Sequence, residues 1–247
     1  HSSDASQVHQ DTSQNLDLFW PEVIDQNNKV LQISIQLWIK LKANALIFTY
    51  EIDNKSPYSV ENFLYPYLGE ITRPESVQTL TRYNLFYCGL QKVELFPHFR
   101  NEWGYWAVDH PIQMVPTPDS LFTLVQAGNQ GIYFGYHDPK SENLLHFTFR
   151  SHPGYADSLS MRNSDQKELG GKPVRISIET ESFPFVAPGK KYRSAEFMMA
   201  AYQGTWHAGV DIYKKWRKSW FTPPNNPNWV KEPHSWQQLH INSMTDE

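Results

Sequence analysis

Two runs of strict alternation between apolar and polar positions stand out early in the chain. Aliphatic residues recur at every second position over 31–41, and the alternation returns over 46–52. The six aliphatic residues of the first run are Leu31, Ile33, Ile35, Leu37, Ile39 and Leu41. A period of two is typical of a strand with one buried face. The short turn at 43–44 then predicts an antiparallel hairpin whose six aliphatic residues all face one core.

Shorter alternations of the same kind predict further strands. They lie at 121–126, 132–136, 145–149, 174–178 and 195–201. Helical periodicity is nearly absent before residue 200, and prolines separate many of the runs. Many strands without helical crossovers favour an antiparallel sandwich over a parallel α/β sheet. The predicted fold class is therefore mainly β.

A helix is predicted directly after Thr205, where the pattern changes. Large apolar residues follow at spacings of 4, 3, 3 and 4, which places them on one helix face. They are Trp206, Val210, Tyr213, Trp216 and Trp220. Thr205 is a suitable N-cap. Prolines at 223, 224 and 227 end the helix and predict a stiff, extended linker, and a strand-like run follows over 236–242.

The composition limits the class of protein. Aromatic residues make up 15% of the 247 residues and charged residues 19%, which is the opposite of a disordered composition. The net charge of −4 gives no electrostatic footprint for nucleic acid or for an anionic membrane surface. No apolar run approaches the length of a membrane span. The basic stretch over 214–218 is interpreted as a solvated helix face. We therefore expect neither nucleic acid nor a membrane as partner.

The patterns divide the chain into four segments. Residues 1–15 carry no apolar pattern and are expected to be a disordered leader. Residues 16–203 hold the predicted sandwich, and residues 204–233 hold the helix and the proline-rich linker. Residues 234–247 begin a strand that leaves no room for a domain of its own. We therefore expect them to be the start of a further domain.

Four parts of the chain together resemble a known family. They are 52–56 with the Tyr-Pro-Tyr-Leu-Gly of 65–69, 116–118 with 131–138, 202–216, and the Pro-Asn-Trp-Val-Lys of 227–231. The resemblance is to the N-terminal region of bacterial glycoside hydrolases in which a galactose-mutarotase-like β-supersandwich precedes a (β/α)8 barrel of the TIM type. One departure is Thr205, where the family often has an acidic residue, although Thr also caps a helix.

The resemblance implies both an architecture and a role. It implies a β-supersandwich with a C-terminal linker helix, and it makes 234–247 the first strand of a truncated barrel. Barrel enzymes carry their catalytic groups at the ends of barrel strands, so no catalytic residue is expected in this chain. The chain would be the scaffold of a secreted or periplasmic glycoside hydrolase. Its partners would be its own barrel, through the 205–220 helix, and an oligo- or polysaccharide.

Five residues are candidates for carbohydrate contact. Trp103, Tyr105 and Trp106 lie in a predicted loop that interleaves aromatic and polar side chains, and sugars stack their C–H faces on such rings. The alternative is that alternate rings fill the core. His137 and Asp138 follow a predicted strand and begin a turn. For Asp138, which precedes a proline, ordinary turn chemistry is the alternative.

Two other functions stay open. A stand-alone carbohydrate-binding module would use the aromatic loop around Trp103 by itself. A mutarotase-like sugar epimerase would need a His acid and a Glu base facing each other in a cleft. His137, His146 or His152 could supply the acid, and no Glu is marked as its partner. His-x-x-x-His and Cys-x-x-Cys spacings and a Gly-rich phosphate loop are all missing, so no metal and no cofactor is expected.

Overall fold

The computed structural model describes residues 7–12, 14–72, 74–86, 89–96, 110–115, 120–152 and 175–231. The strands in these ranges are β1 (Gln7–Thr12), β2 (Asn15–Trp20), β3 (Val23–Ile24), β4 (Val30–Leu31), β5 (Ile33–Lys42), β6 (Ala45–Asn54), β7 (Phe63–Thr72), β8 (Thr81–Phe86), β9 (Gly89–Glu94), β10 (His110–Val115), β11 (Phe122–Ala127), β12 (Gln130–His137), β13 (Leu145–His152), β14 (Arg175–Ser182), β15 (Lys190–Arg193) and β16 (Glu196–Gln203). The helices are α1 (Trp206–Lys218) and α2 (Asn228–Lys231).

The strands form two large antiparallel sheets. Sheet 1 has the order β1-β2-β5-β6-β16-β12-β11-β8-β9, and β15 pairs with β6 beyond the end of β16. Sheet 2 has the order β10-β13-β14-β7, and β3 and β4 form a short separate ribbon. Within the described ranges all strand pairings are antiparallel. The predicted fold class, an antiparallel β-sandwich with a C-terminal helix, is confirmed.

The main core lies between the two sheets. Phe48 and Phe197 from the inner face of sheet 1 meet Phe147 and Ile178 from sheet 2. Each side chain of this size contributes about 1.5–3 kcal/mol when it is buried. The core also contains Arg82, whose side chain is fully buried with its guanidinium 5.1 Å from the centre of a phenylalanine ring.

The long hairpin forms as predicted. Strands β5 and β6 pair over their full length, and residues 43–44 make the turn. Five of the six aliphatic residues pack on the apolar core clusters, although Leu31 belongs to the short β4. The prediction is wrong for Leu41, which is 45% exposed. Leu41 lies beside the hairpin turn at 43–44.

Strand β1 corrects the predicted disordered leader. Residues Gln7–Thr12 pair with β2 at the edge of sheet 1. An edge strand is held by backbone hydrogen bonds and needs no apolar alternation of its own, so hydrophobic periodicity does not reveal it. Residues 1–6 and the segment 232–247, with its predicted barrel strand, lie outside the described residues.

Helix α1 forms a third layer on the outer face of sheet 1. It packs over β11, β12 and β16, and a second apolar cluster lies beneath it. Strand β16 is therefore covered on both faces, so that the inward Phe197 and the outward Ala200 are both buried. A simple alternation predicted only one buried face for this strand. In the described part of the chain, α1 does not extend over β2, β5 and β15, whose outward side chains are half-buried or exposed.

Candidate functional site

Aromatic contacts fix helix α1 to the outer face of sheet 1. Trp206 stacks on Tyr83 with ring centres 5.9 Å apart, and Tyr213 packs on Phe122 at 4.8 Å. Thr205 occupies the predicted N-cap position, but its side chain makes no capping hydrogen bond. The helix is therefore held more by side-chain packing on the sheet than by its cap.

The closest approach between helix and sheet is at Gly209, the buried residue of α1. A Cβ atom at this position would lie 2.8 Å from Leu124 Cδ2 and 2.8 Å from Tyr202 Cε1. The Tyr202 hydroxyl donates a 2.6 Å hydrogen bond to Gln126 Oε1, and Gln126 Nε2 donates to the Gly204 carbonyl at 2.9 Å. This network ties the start of the helix to β11.

His137, a predicted contact residue, lies beneath the helix. Trp216 stacks flat on its ring at 4.5 Å, with the two planes 11° apart. Its Nε2 is 2.9 Å from the Tyr133 hydroxyl, and the side chain is only 9% exposed. Burial lowers the pKa of His137 to about 4, so the imidazole is neutral at neutral pH. This geometry favours a role in anchoring the helix.

Asp138 has a structural role in the turn after β12. Its Oδ1 accepts a 2.9 Å hydrogen bond from the Lys140 amide, and its Oδ2 accepts one of 3.3 Å from the Glu142 amide. The side chain is 5% exposed. These bonds match the turn alternative. The other three predicted contact residues, Trp103, Tyr105 and Trp106, lie outside the described residues.

One His–Glu pair in the structure is relevant to the epimerase alternative. His146 and Glu181 are directly cross-strand on β13 and β14, with His146 Nδ1 3.7 Å from Glu181 Oε2. Asn62 also donates a short hydrogen bond to this carboxylate. An acid and a base that act on one sugar must face each other across it. This pair is in direct contact and leaves no space for a substrate between the two groups.

The apolar stripe of α1 continues beyond the sheet. Trp220 packs on Trp216 at 5.3 Å and on Phe221 at 5.7 Å, and it is 40% exposed. We call these three residues the open flank. Trp206, Tyr213 and Trp216 are only half-buried, because the helix rests on the sheet along one edge.

A small pocket of about 260 Å³ opens on the uncovered half of the outer face. We call it the outer-face pocket. It is lined by Phe19, Ser34, Gln36, Trp38, Glu51, Asp53, Lys191 and Arg193. Local periodicity does not predict this pocket, because its residues come from four strands, of which β15 is far from the other three in the chain. The one signal in the sequence was Trp38 and Gln36 on the polar side of the predicted hairpin.

The described residues contain no cluster of three or more His, Cys, Asp or Glu side chains that could hold a metal ion. None of the helices in these same ranges is long and apolar enough to cross a membrane.

The chain was compared with known proteins. No protein-family model matches it, and no curated protein matches it in sequence. Similar solved structures include the Slr1438 protein from Synechocystis sp. PCC 6803, with a TM-score of 0.46 and 10% identity over 80% of this chain and 65% of that chain. They also include the GH36 α-galactosidase AgaA from Geobacillus stearothermophilus in complex with raffinose, with a TM-score of 0.42 and 9% identity over 87% of this chain.

A galactose mutarotase-like protein from Lactobacillus casei ATCC 334 is similar as well, with a TM-score of 0.41 and 7% identity over 79% of this chain and 72% of that chain. The resemblance predicted from the sequence thus has counterparts among solved structures. The chain spans 65% of the length of Slr1438 and 28% of the length of the galactosidase. At these identities the likeness concerns backbone shape alone.

Proposed function

We propose that this chain is a carbohydrate-related sandwich domain that serves as the scaffold of a glycoside hydrolase. The catalytic barrel would follow residue 247. The observation that supports the proposal is the open flank of α1. Its rings continue the stripe that packs on the sheet, yet Trp220 is left 40% exposed. Large exposed apolar patches are rare on soluble monomers and mark interaction surfaces.

The position of the open flank identifies its proposed occupant. The flank lies at the C-terminal end of α1, directly before the proline-containing segment 222–227 and the short α2. Trp229 in α2 is 73% exposed. The chain therefore leads from one exposed tryptophan to the next, and we propose that the barrel covers both. Covering such rings contributes about 1.5–3 kcal/mol each.

Carbohydrate contact and location are parts of the same proposal. The loop with Trp103, Tyr105 and Trp106 would reach an oligo- or polysaccharide at the rim of the barrel. His137 and Asp138 would support this arrangement from beneath the helix and in the adjacent turn. An enzyme that acts on polysaccharide meets its substrate outside the cytoplasm, so we propose a secreted or periplasmic location.

The proposal is tested by hydroxyl-radical footprinting of individual residues. The 247-residue chain is compared with a longer polypeptide that includes the region encoded downstream. Labelling of Trp220 and Trp229 should fall several-fold in the longer polypeptide, because the barrel covers them. Tyr58, which is 52% exposed and lies far from α1 in the chain, is the matched control and should label equally in both. Equal labelling of Trp220 in the two proteins would overturn the proposal.

Hydrolysis of aryl glycosides gives a second readout. The longer polypeptide should show turnover, and the 247-residue chain should show none above background, because the catalytic carboxylates would lie in the barrel. Turnover by the 247-residue chain that one Asp or Glu substitution within residues 17–200 abolishes would contradict the scaffold role.

A further inference from the structure

The outer-face pocket is built from side chains that lie in register across four neighbouring strands. Phe19 on β2 lies opposite Gln36 on β5, Gln36 lies opposite Glu51 on β6, and Glu51 lies opposite Arg193 on β15. The residues that alternate with these on β5 and β6 are buried in the core. The row therefore points outward, on a firmly paired part of the sheet.

Three polar groups of the pocket make no hydrogen bond among the described residues. The Ser34 hydroxyl, the Gln36 amide and the Glu51 carboxylate are all half-buried. None of them makes a hydrogen bond or ion pair to any residue in the described part of the chain. Because they are half-buried, these groups stay available for hydrogen bonds with water or a ligand. Three of them converging on one concave site is the usual arrangement of a binding pocket.

The formal charges around the pocket are balanced and largely engaged. Asp53 forms a 3.0 Å ion pair with Lys191 Nζ, and the Arg193 guanidinium lies 4.7 Å from the centre of the Trp38 ring. Two acidic and two basic side chains line the pocket, so it has no formal net charge. Arg193 already occupies the position over Trp38 that a cationic ligand would take. Lys191 is already paired with Asp53, so it would attract an anionic ligand only weakly.

We propose that the outer-face pocket binds one neutral monosaccharide unit. A sugar hydroxyl both donates and accepts, and the free groups offer an acceptor in Glu51 and mixed donors and acceptors in Ser34 and Gln36. Phe19, which lines the same pocket, gives an aromatic wall for the C–H groups of the ring. The volume of about 260 Å³ lies below that of pockets for drug-sized ligands and suits a single ring. The pocket is separate from α1, so this proposal and the scaffold role can fail independently.

The test uses the full chain and three neutral hexoses, D-glucose, D-galactose and D-mannose. Saturation-transfer NMR detects binding, and calorimetric titration measures the Kd. At least one hexose should bind in the millimolar range. Glucuronate and glucosamine, which carry a negative and a positive charge, should bind more weakly than the matching neutral hexose, because the pocket has no net charge. A charged analogue that binds more tightly than every neutral hexose would overturn the inference.

Two matched variants locate the site. Glu51→Gln keeps the shape of the side chain but removes a charged acceptor, and it should weaken binding roughly ten-fold. Glu61→Gln makes the same change at an exposed position outside the pocket and should bind like the unmodified chain. Both variants should keep the unmodified far-UV spectrum and Tm, since neither residue is in the core. Equal affinity of the two variants, or no saturation transfer from any of the three hexoses, would refute the proposal.

Discussion

His137 is the residue through which β12 and helix α1 meet. Its ring carries Trp216 on one face and hydrogen-bonds to Tyr133 at its edge. Burial lowers its pKa from the ordinary 6.5 to about 4, so the folded protein holds the neutral form. Protonation of the imidazole here would place a charge in a site that is shielded from water by burial. The contact is therefore sensitive to acid.

The pH dependence of stability follows from this lowered pKa. Because the folded pKa lies below the unfolded value of 6.5, the stabilisation is complete above pH 6.5 and is lost as the pH falls toward 4. At pH about 5 the loss is about 2 kcal/mol. His137→Gln cannot take up a proton, so its free energy of unfolding in urea should fall by about 2 kcal/mol less than that of the unmodified chain between neutral pH and pH about 5.

The matched control for this measurement is His207→Gln. His207 is exposed on the first turn of the same helix. Between neutral pH and pH about 5, the free energy of unfolding should fall less for His137→Gln than for His207→Gln. If His137→Gln and the unmodified chain lose equal stability on acidification, the ring is not held neutral beneath Trp216.

At the scale of elements, the packing of helix α1 on sheet 1 depends on a glycine near its N-terminal end, Gly209. The missing side chain of Gly209 lets the helix backbone approach Leu124 and Tyr202. The surrounding aromatic contacts of Trp206 and Tyr213 set the depth of the helix on the sheet. An alanine would suit a helix better by about 1 kcal/mol in isolation. At this position it would lie within 2.8 Å of two side chains.

Gly209→Ala should therefore destabilise the protein by about 1 kcal/mol, since overpacking costs about 1–3 kcal/mol and exceeds the gain in helix propensity. Thermal or urea unfolding measures the change. In a Leu124→Val background, which removes the nearest carbon, the cost of Gly209→Ala should shrink measurably. Lys215→Ala, at an exposed position of the helix, should cost the same in both backgrounds. A cost of Gly209→Ala that is equal in both backgrounds would show that Leu124 does not limit the approach.

Local periodicity predicted which strands and helices form better than it predicted what surrounds them. The strict alternation over 31–52 was sufficient for the β5–β6 hairpin, and the 3–4 spacing was sufficient for α1. It could not reveal strand β1, whose place depends on backbone pairing with β2. It also gave no sign that Arg82 would be fully buried, because a charged residue in an alternating strand is normally assigned to the solvent face.

The candidate sites were harder to predict than the elements. His137 and Asp138 were selected for their place after a strand, but their environment depends on where α1 docks. The outer-face pocket depends on the strand order β2-β5-β6 and on the addition of β15 to β6. That strand order brings Phe19 and Arg193, which are far apart in the sequence, into the same pocket. Long-range pairing of this kind has no local signature in one sequence.

At the scale of the whole molecule, the outer face of sheet 1 has two halves with different surroundings. One half is covered by α1 and has a true core beneath it, in which Leu124 and Tyr133 are fully buried. The other half is polar and carries the outer-face pocket. The apolar cluster between the two sheets is therefore only one part of the core, and the cluster beneath α1 is the other part. This makes α1 part of the folded unit and more than a connecting segment.

Removing helix α1 should accordingly expose the apolar cluster on the outer face of sheet 1 and destabilise the fold. A chain that ends at residue 203 would expose Phe122, Leu124 and Tyr133, whose burial contributes about 1.5–3 kcal/mol each. The summed loss is comparable with the whole stability of a typical domain, about 5–15 kcal/mol. We expect this chain to bind an apolar dye such as ANS and to lose its cooperative thermal transition. A chain that ends at residue 221 keeps α1 and is the matched control, and it should unfold like the full chain. If the shorter chain instead melts at the temperature of the control without binding the dye, the sandwich is self-sufficient and α1 is only a connector.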